Sequence, residues 1–180
     1  GTGTGIIPLL LYARENTISA DAVEIQPDMA DMAARSMAMN GLNEKIRVLP
    51  GDLRSIRTLL PHARYDLVTC NPPYGKAGGT LLNPDASKRL ARHEESCAIE
   101  DVACAAAWLL QNGGRLCCVF PAARMIELSD AMRKYRMAPK RIRMVHSRVE
   151  KAAHLCLMEG MLDARPGLII EPPLVIYDEN

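Results

Sequence analysis

The chain has 180 residues, 48% of them hydrophobic and 24% charged, an ordinary balance for a single domain (residues 1–180) with a sizeable core. Its 22 basic and 21 acidic residues leave a net charge of +1, which excludes a polycation, so any nucleic-acid site has to be a local patch. Six cysteines (Cys70, Cys97, Cys104, Cys117, Cys118 and Cys156) include no C-x-x-C pair, and most fall in apolar runs. They read as buried thiols of a reducing cytosol, not as disulfides or metal ligands. No apolar run reaches the length of a membrane span and no signal peptide opens the chain, so a cytoplasmic protein with no membrane and no metal partner is expected.

Gly1-Thr2-Gly3-Thr4-Gly5 begins the sequence and leads into the apolar run Ile6 to Ala13, read as a buried helix with Pro8 in its first turn. Glycines in this position allow a tight turn and close approach of a ligand to the backbone, as in the first βα turn of a nucleotide-binding α/β fold. The strand that should precede such a turn is not in the sequence, so the chain is expected to begin part-way through its own motif. Ala20 to Ile25 is a short strand ending in Glu24, 19 positions after Gly5. That spacing suits a carboxylate gripping ribose hydroxyls, and also suits a solvated surface Glu; it would equally admit a nicotinamide cofactor. Pro27 to Asn40 reads as a helix stopped by Gly41, with Met29, Met32, Ala33 and Met37 as core. Ile46 to Leu49 is a third strand, ended by Pro50-Gly51-Asp52-Leu53. Asp52 would either accept from a cofactor's adenine amine or cap the helix from Leu53 to Leu60, and the two roles are compatible.

Tyr65 to Cys70 reads as a buried strand, cut off by Asn71-Pro72-Pro73-Tyr74, because proline lacks a backbone donor and fixes its own φ. Asn71 therefore sits at the C-terminal edge of a strand, where ligands bind in open α/β sheets. The tetrapeptide is a stiff loop with one amide, exposed carbonyls and an aromatic face. Such a loop suits methylation of a planar amine. An exocyclic amine is a poor nucleophile because its lone pair is delocalised into the ring. The Asn71 side-chain oxygen and the Pro72 carbonyl would accept its N–H bonds, and Tyr74 would stack on the base.

Gly75 to Ser87 reads as a mobile lid or a substrate loop, followed by basic residues and His93, either a substrate contact or a local hydrogen-bonding group. Glu100 to Leu110 is a helix closed by Asn112-Gly113-Gly114, Arg115 to Phe120 a central strand, and Arg124 to Arg136 a helix ended by Pro139. A basic stripe follows: Arg133, Lys134, Arg136, Lys140, Arg141, Arg143, Arg148 and Lys151, opposed in sequence by Glu150 alone. It fits either a phosphate backbone or a solvated face. Met144 to His146 and Leu155 to Met158 read as paired edge strands, and Gly167 to Ile170 with Leu174 to Tyr177 as a final β stretch.

This order of elements resembles the class I S-adenosylmethionine-dependent methyltransferases, of which Asn-Pro-Pro-Tyr marks the amino-group-methylating variant. Ala91-Arg92-His93-Glu94, Pro139-Lys140-Arg141-Ile142-Arg143 and Pro172-Pro173-Leu174-Val175-Ile176-Tyr177 narrow the resemblance to the bacterial tRNA1(Val) adenine-37 N6-methyltransferase family. The resemblance implies a Rossmann-like α/β sheet with helices on both faces and its first strand missing from this sequence. S-adenosylmethionine is the implied cofactor, with Gly1, Gly3 and Gly5 at its amino-acid end, Glu24 on its ribose, Ile25 against its adenine, and Asp52 and Leu53 bracketing that adenine. Asn71, Pro72, Pro73 and Tyr74 are the implied catalytic residues, Asn71 also touching the cofactor. Arg92, His93, Lys140, Arg141 and Arg143 are the implied tRNA contacts. Rival readings are a glutamine-amide methyltransferase acting on a protein, a guanine methyltransferase of ribosomal RNA, and a non-catalytic RNA-binding module that keeps the fold.

Overall fold

The computed structural model describes residues 1–72 and 99–177. It divides into two compact units, residues 1–61 and 62–180. The first unit holds helix α1 (Ile6–Arg14), strand β1 (Ala20–Glu24), helix α2 (Pro27–Met39), strand β2 (Ile46–Pro50), a 3-10 turn (Leu53–Ser55) and the one-turn helix α3 (Ile56–Leu59). β1 and β2 pair in parallel, with Glu24 opposite Pro50. Parallel strands need a crossover, and α2 supplies it. Pro27 occupies its first turn, and Gly41 takes the left-handed conformation just past its end. Ala22, Met37 and Ile46 form the core, with Leu9 and Tyr12 of α1 packed against them.

Two readings of this unit are corrected. α1 is helical where expected but is not a buried helix: Pro8 alone is buried, and Ile6 and Leu10 stand 56% and 57% exposed one turn apart. A uniformly apolar run carries no amphipathic signal, so the sequence could not say which face packs. Of the four α2 residues assigned to the core, Ala33 and Met37 are buried, whereas Met32 is exposed.

The second unit is a six-stranded sheet built on β3 (Tyr65–Cys70), β4 (Leu110–Pro121), β5 (Met137–His146) and β6 (Leu155–Leu162), with β7 (Ile169–Ile170) and β8 (Leu174–Val175) at its end. Helix α4 (Ile99–Leu109) precedes β4. A 3-10 turn (Ala122–Arg124) and α5 (Met125–Lys134) follow it. Strand order is β3-β4-β6-β5-β7, with β8 also on β5. β3 and β4 are parallel, β6 is antiparallel to β4 and to β5, and β7 and β8 run parallel to β5. β3, β4, β5 and β8 therefore all point the same way. Leu116, Cys118 and Phe120 on β4 and Cys156, Met158 and Leu162 on β6 are buried on one face. α5 covers that face so closely that a Cβ on Gly160 would meet Met132 Sδ at 2.7 Å.

Here the structure departs from the expectations in four places. β3 is not buried: Leu67 is 42% exposed, because among the described residues β3 has a neighbour on one side only. Asn112-Gly113-Gly114 does not separate α4 from its strand. β4 begins at Leu110, and between the register pairs Tyr65–Leu110 and Leu67–Arg115 it advances five positions to β3's two, a bulge pinned by Gln111 Nε2 donating to Asp66 Oδ1 at 2.5 Å. Pro139 does not end the preceding helix. That helix stops at Lys134, Arg136 turns the chain at φ +65°, and Pro139 sits inside β5 at a register shift, where a missing N–H is tolerated. β5 and β6 pair as expected (Val145 with Leu155, Met144 with Cys156), but neither is an edge strand, since β4 flanks β6 and β7 and β8 flank β5. Among the described residues no helix is long and apolar enough to cross a membrane.

Candidate active site

In the first unit the glycine-rich loop folds onto the end of β1. Thr2 N donates to the Val23 carbonyl at 2.9 Å, and Gly5 N turns back onto the Thr2 carbonyl at 3.1 Å. Gly5 sits at φ +82° immediately before α1, and a Cβ there would lie 2.6 Å from Met37 Cε and 3.3 Å from Ala33 Cβ. That glycine is required twice: by its left-handed backbone and by the closeness of α2.

Glu24 is the buried charge of this unit, 3% exposed at the C-terminal end of β1. Its Oε2 accepts from Gly3 N at 2.7 Å and its Oε1 from Gln26 N at 2.9 Å, while its own carbonyl accepts from Gly51 N at 2.9 Å. The carboxylate thus ties the glycine loop to the turn that starts α2. A carboxylate offers about four lone-pair sites, and two backbone donors fill half of them. A vicinal diol is the pair of donors that would fill the rest. On that count the site fits the ribose of a bound nucleoside cofactor, and it excludes the reading of Glu24 as a solvated surface residue. Gly1 is exposed beside it, with a Cβ position 3.8 Å from Glu24 Oε2, and Ile25 is exposed immediately after β1.

Asp52 follows β2 at the same end of the parallel pair. It caps the 3-10 turn, accepting from Arg54 N at 2.9 Å. The Arg54 guanidinium closes over it, with Nε at 2.9 Å and Nη2 at 2.5 Å from Oδ2. That hydrogen bonding holds the Asp52 carboxyl below the usual carboxylate range. The capping role expected of Asp52 is therefore present, and its acceptors are already engaged. Arg54 went unnoticed in the sequence; the signal was a cation two positions beyond a capping aspartate. Leu53 opens the same turn and is half-buried.

In the second unit β3 ends at Cys70, and Asn71 stands exposed just past it with Pro72 buried behind. Register pairs Cys70 with Cys118, so Asn71 lies at the C-terminal edge of a parallel pair, the position expected of it. Burial pushes the Cys118 thiol well above its ordinary value, and burial followed by the nearby Glu159 carboxylate raises Cys117. Both shifts favour the protonated thiol, and Cys118 lies in the buried face of the sheet. Pro73, Tyr74, Arg92 and His93, and the loop from Gly75 to Ser87, lie outside the described residues.

The basic stripe is not the unopposed run that its sequence suggests. Lys134 Nζ meets Glu100 at 2.6 Å and Arg136 meets Asp163 at 2.6 Å. Arg141 pairs with Glu171, its Nε 2.6 Å from Oε1, and lies 3.8 Å from Glu159. Arg143 Nε donates to the Pro172 carbonyl at 3.0 Å, and Lys140 Nζ to the Arg165 carbonyl at 3.3 Å. Glu100, Glu159, Asp163 and Glu171 come from other elements, and nothing in the linear run announces them.

The family model described as methyltransferase small domain matches residues 1–141. A tRNA1(Val) (adenine(37)-N6)-methyltransferase of Porphyromonas gingivalis is 33% identical over 98% of this chain and 72% of its own length. One from Tolumonas auensis is 34% identical over 100% of this chain and 73% of its own. Among solved structures, a predicted O-methyltransferase from Agrobacterium tumefaciens superposes with a TM-score of 0.78 at 22% identity, covering 98% of this chain and 78% of that one. A geranyl diphosphate methyltransferase in complex with S-adenosylmethionine gives 0.61 at 12% identity, over 89% and 75%. The fold is thus the Rossmann-like α/β fold of the methyltransferases. With the family model matching most of its length, the chain belongs to the methyltransferase small domain family and is an S-adenosylmethionine-dependent methyltransferase.

Proposed function

We propose that the chain methylates the exocyclic N6 amine of an adenine in tRNA, adenosine 37 of a valine tRNA being the first candidate. The observation that carries this reading is Asn71, exposed at the C-terminal end of β3 with Pro72 buried behind it, in the Asn-Pro-Pro-Tyr setting that suits a planar amine. The names of its relatives supply the nucleoside and the RNA.

When bound, S-adenosylmethionine supplies an electrophilic methyl group on a positively charged sulfur. Glu24 holds the ribose diol with its remaining acceptor sites while Gly3 and Gln26 keep the carboxylate fixed. Gly1, Gly3 and Gly5 let the backbone approach the cofactor's amino-acid end. Asn71 Oδ1 and the Pro72 carbonyl would accept hydrogen bonds from the two amine N–H groups, which would draw the nitrogen lone pair out of conjugation and orient it for attack on the methyl group. Tyr74 stacks on the extruded base, offsetting part of the unstacking cost. Orientation of this kind is worth up to about 7–11 kcal/mol of a barrier.

The test is incubation of the protein with tritiated S-adenosylmethionine and total tRNA lacking the modification, then digestion and identification of the labelled nucleoside. Label in N6-methyladenosine, mapping to position 37, is expected. Label in N2-methylguanosine, or label only in a protein amide, overturns the assignment.

A further inference from the structure

We infer that the turn joining β5 to β6, residues 147–154, together with Tyr177, carries the RNA strand that flanks the target adenine. This rests on the tRNA reading proposed above.

Strand direction places these residues. β3 and β5 run parallel, so the C-terminal end of β5 lies at the same end of the sheet as Asn71. Three strand spacings separate β3 from β5 and a fourth reaches β8, about 14 Å and about 19 Å at roughly 4.8 Å per strand. That is the scale of a few nucleotides leading away from a flipped base.

The turn is held in shape. His146 Nδ1 donates to the Lys151 carbonyl at 2.6 Å, and Lys151 N to the Arg148 carbonyl at 3.1 Å. Tyr177 N donates to the Ser147 carbonyl at 2.9 Å, which fixes the Tyr177 backbone beside the turn. On this frame Arg148 and Lys151 are exposed, and among the described residues neither has a carboxylate within 4.0 Å. Tyr177 is 62% exposed next to them, and Val149 72%. Two cations without acidic partners beside an exposed aromatic ring suit phosphates and a stacked base.

The rest of the basic run lacks this combination. Arg133, Lys134 and Arg136 lie at or just past the end of α5, before β5 begins, and β5's ten residues span about 33 Å at roughly 3.3 Å each. They stand at the opposite end of the sheet from Asn71, and Lys134 and Arg136 are ion-paired.

The test compares Arg148→Glu/Lys151→Glu, Tyr177→Ala and the control Arg133→Glu with the wild type. Each is assayed for KM with unmodified tRNA, the salt dependence of tRNA binding, and S-adenosylmethionine affinity. The double variant is expected to raise KM about tenfold or more and to flatten the slope of log affinity against log salt by about 1.4 units, since each of the two lost single-strand contacts contributes about 0.7. Tyr177→Ala is expected to raise KM about tenfold with an unchanged salt slope. Cofactor affinity should stay within twofold throughout, and Arg133→Glu should match the wild type. A double variant with wild-type KM and slope, or Arg133→Glu with the larger effect, overturns the assignment of this turn while leaving the tRNA reading standing. A wild-type chain that neither binds nor methylates tRNA overturns both.

Discussion

Glu24→Gln separates the two roles that the structure gives this carboxylate. The change keeps the shape and removes one acceptor oxygen. In the native site Oε2 accepts from Gly3 N and Oε1 from Gln26 N, so whichever way the amide turns, its NH2 faces a backbone N–H. One charge-assisted hydrogen bond, worth about 1.5–3 kcal/mol, is lost, and a buried donor is left without a partner at a further cost of about 1–3 kcal/mol. Part of this is offset, because Glu24 is 3% exposed and the neutral amide no longer has to be kept dry as a charge. A net loss of about 2 kcal/mol follows. For a chain of this size that lowers the thermal midpoint by about 4–8 °C. The ribose loses its charged acceptor as well, so S-adenosylmethionine affinity should fall about tenfold to a hundredfold, at 1.4 kcal/mol per factor of ten. Calorimetric titration of the cofactor alongside thermal unfolding of the free protein reads both. A variant with a lowered midpoint and unchanged cofactor affinity would refute the ribose role and leave Glu24 as a staple between the glycine loop and α2.

Asn71→Ala should lower kcat about a hundredfold or more while S-adenosylmethionine affinity stays within twofold, measured by single-turnover methylation and by titration; equal losses in both would move Asn71 from the amine to the cofactor. Gly5→Ala should cost about 2–4 kcal/mol, from the left-handed backbone at φ +82° and the clash at 2.6 Å with Met37 Cε, whereas Gly3→Ala, at φ +57° with nothing within 4 Å, should cost about 1 kcal/mol. Thermal unfolding of the two variants side by side checks that order. Because Arg54 depresses the Asp52 pKa in the folded state, the stability from this pair is fully present above the unfolded aspartate value of about 3.9 and drains away as pH falls through the lower, folded value. Urea titrations between pH 6 and about pH 2.5 should therefore show the wild type losing its advantage over Asp52→Asn in that acid window, and a constant difference would mean that the pair is not formed. The half-exposed setting of this pair keeps the effect small.

What the sequence made legible was whatever is written in consecutive residues. The proline-stopped strand, the glycine turn and the acid 19 positions after Gly5 are local: Asn71 and Glu24 fall at strand ends and Gly5 at a helix start regardless of distant packing. Burial is another matter. Ile6 to Ala13 is apolar all round, so its pattern names no inner face, and the exposed Ile6 and Leu10 were indistinguishable from the buried Pro8. Pro139 read as a helix breaker because the chemistry that ends a helix is also tolerated at an irregular point of a strand, and only the pairing with β6 distinguishes the two.

The basic stripe shows the same limit acting on function. Eight cations within nineteen residues look like one surface because they are neighbours along the chain. A strand separates its ends by tens of ångströms, so Arg136 and Arg148, on either side of β5, serve opposite ends of the sheet. The antiparallel β6 and the parallel β7 and β8 then bring carboxylates into the middle of the run, Glu159 facing Arg141 across one ladder and Glu171 just beyond β7 closing the other side. In the centre an ion pair engages Arg141 and backbone carbonyls engage Lys140 and Arg143, distance removes one end, and what remains beside the Asn71 end is Arg148 and Lys151. A contiguous patch in sequence is therefore a poor guide to an RNA surface whenever a strand runs through it; strand direction relative to the catalytic loop is the better one.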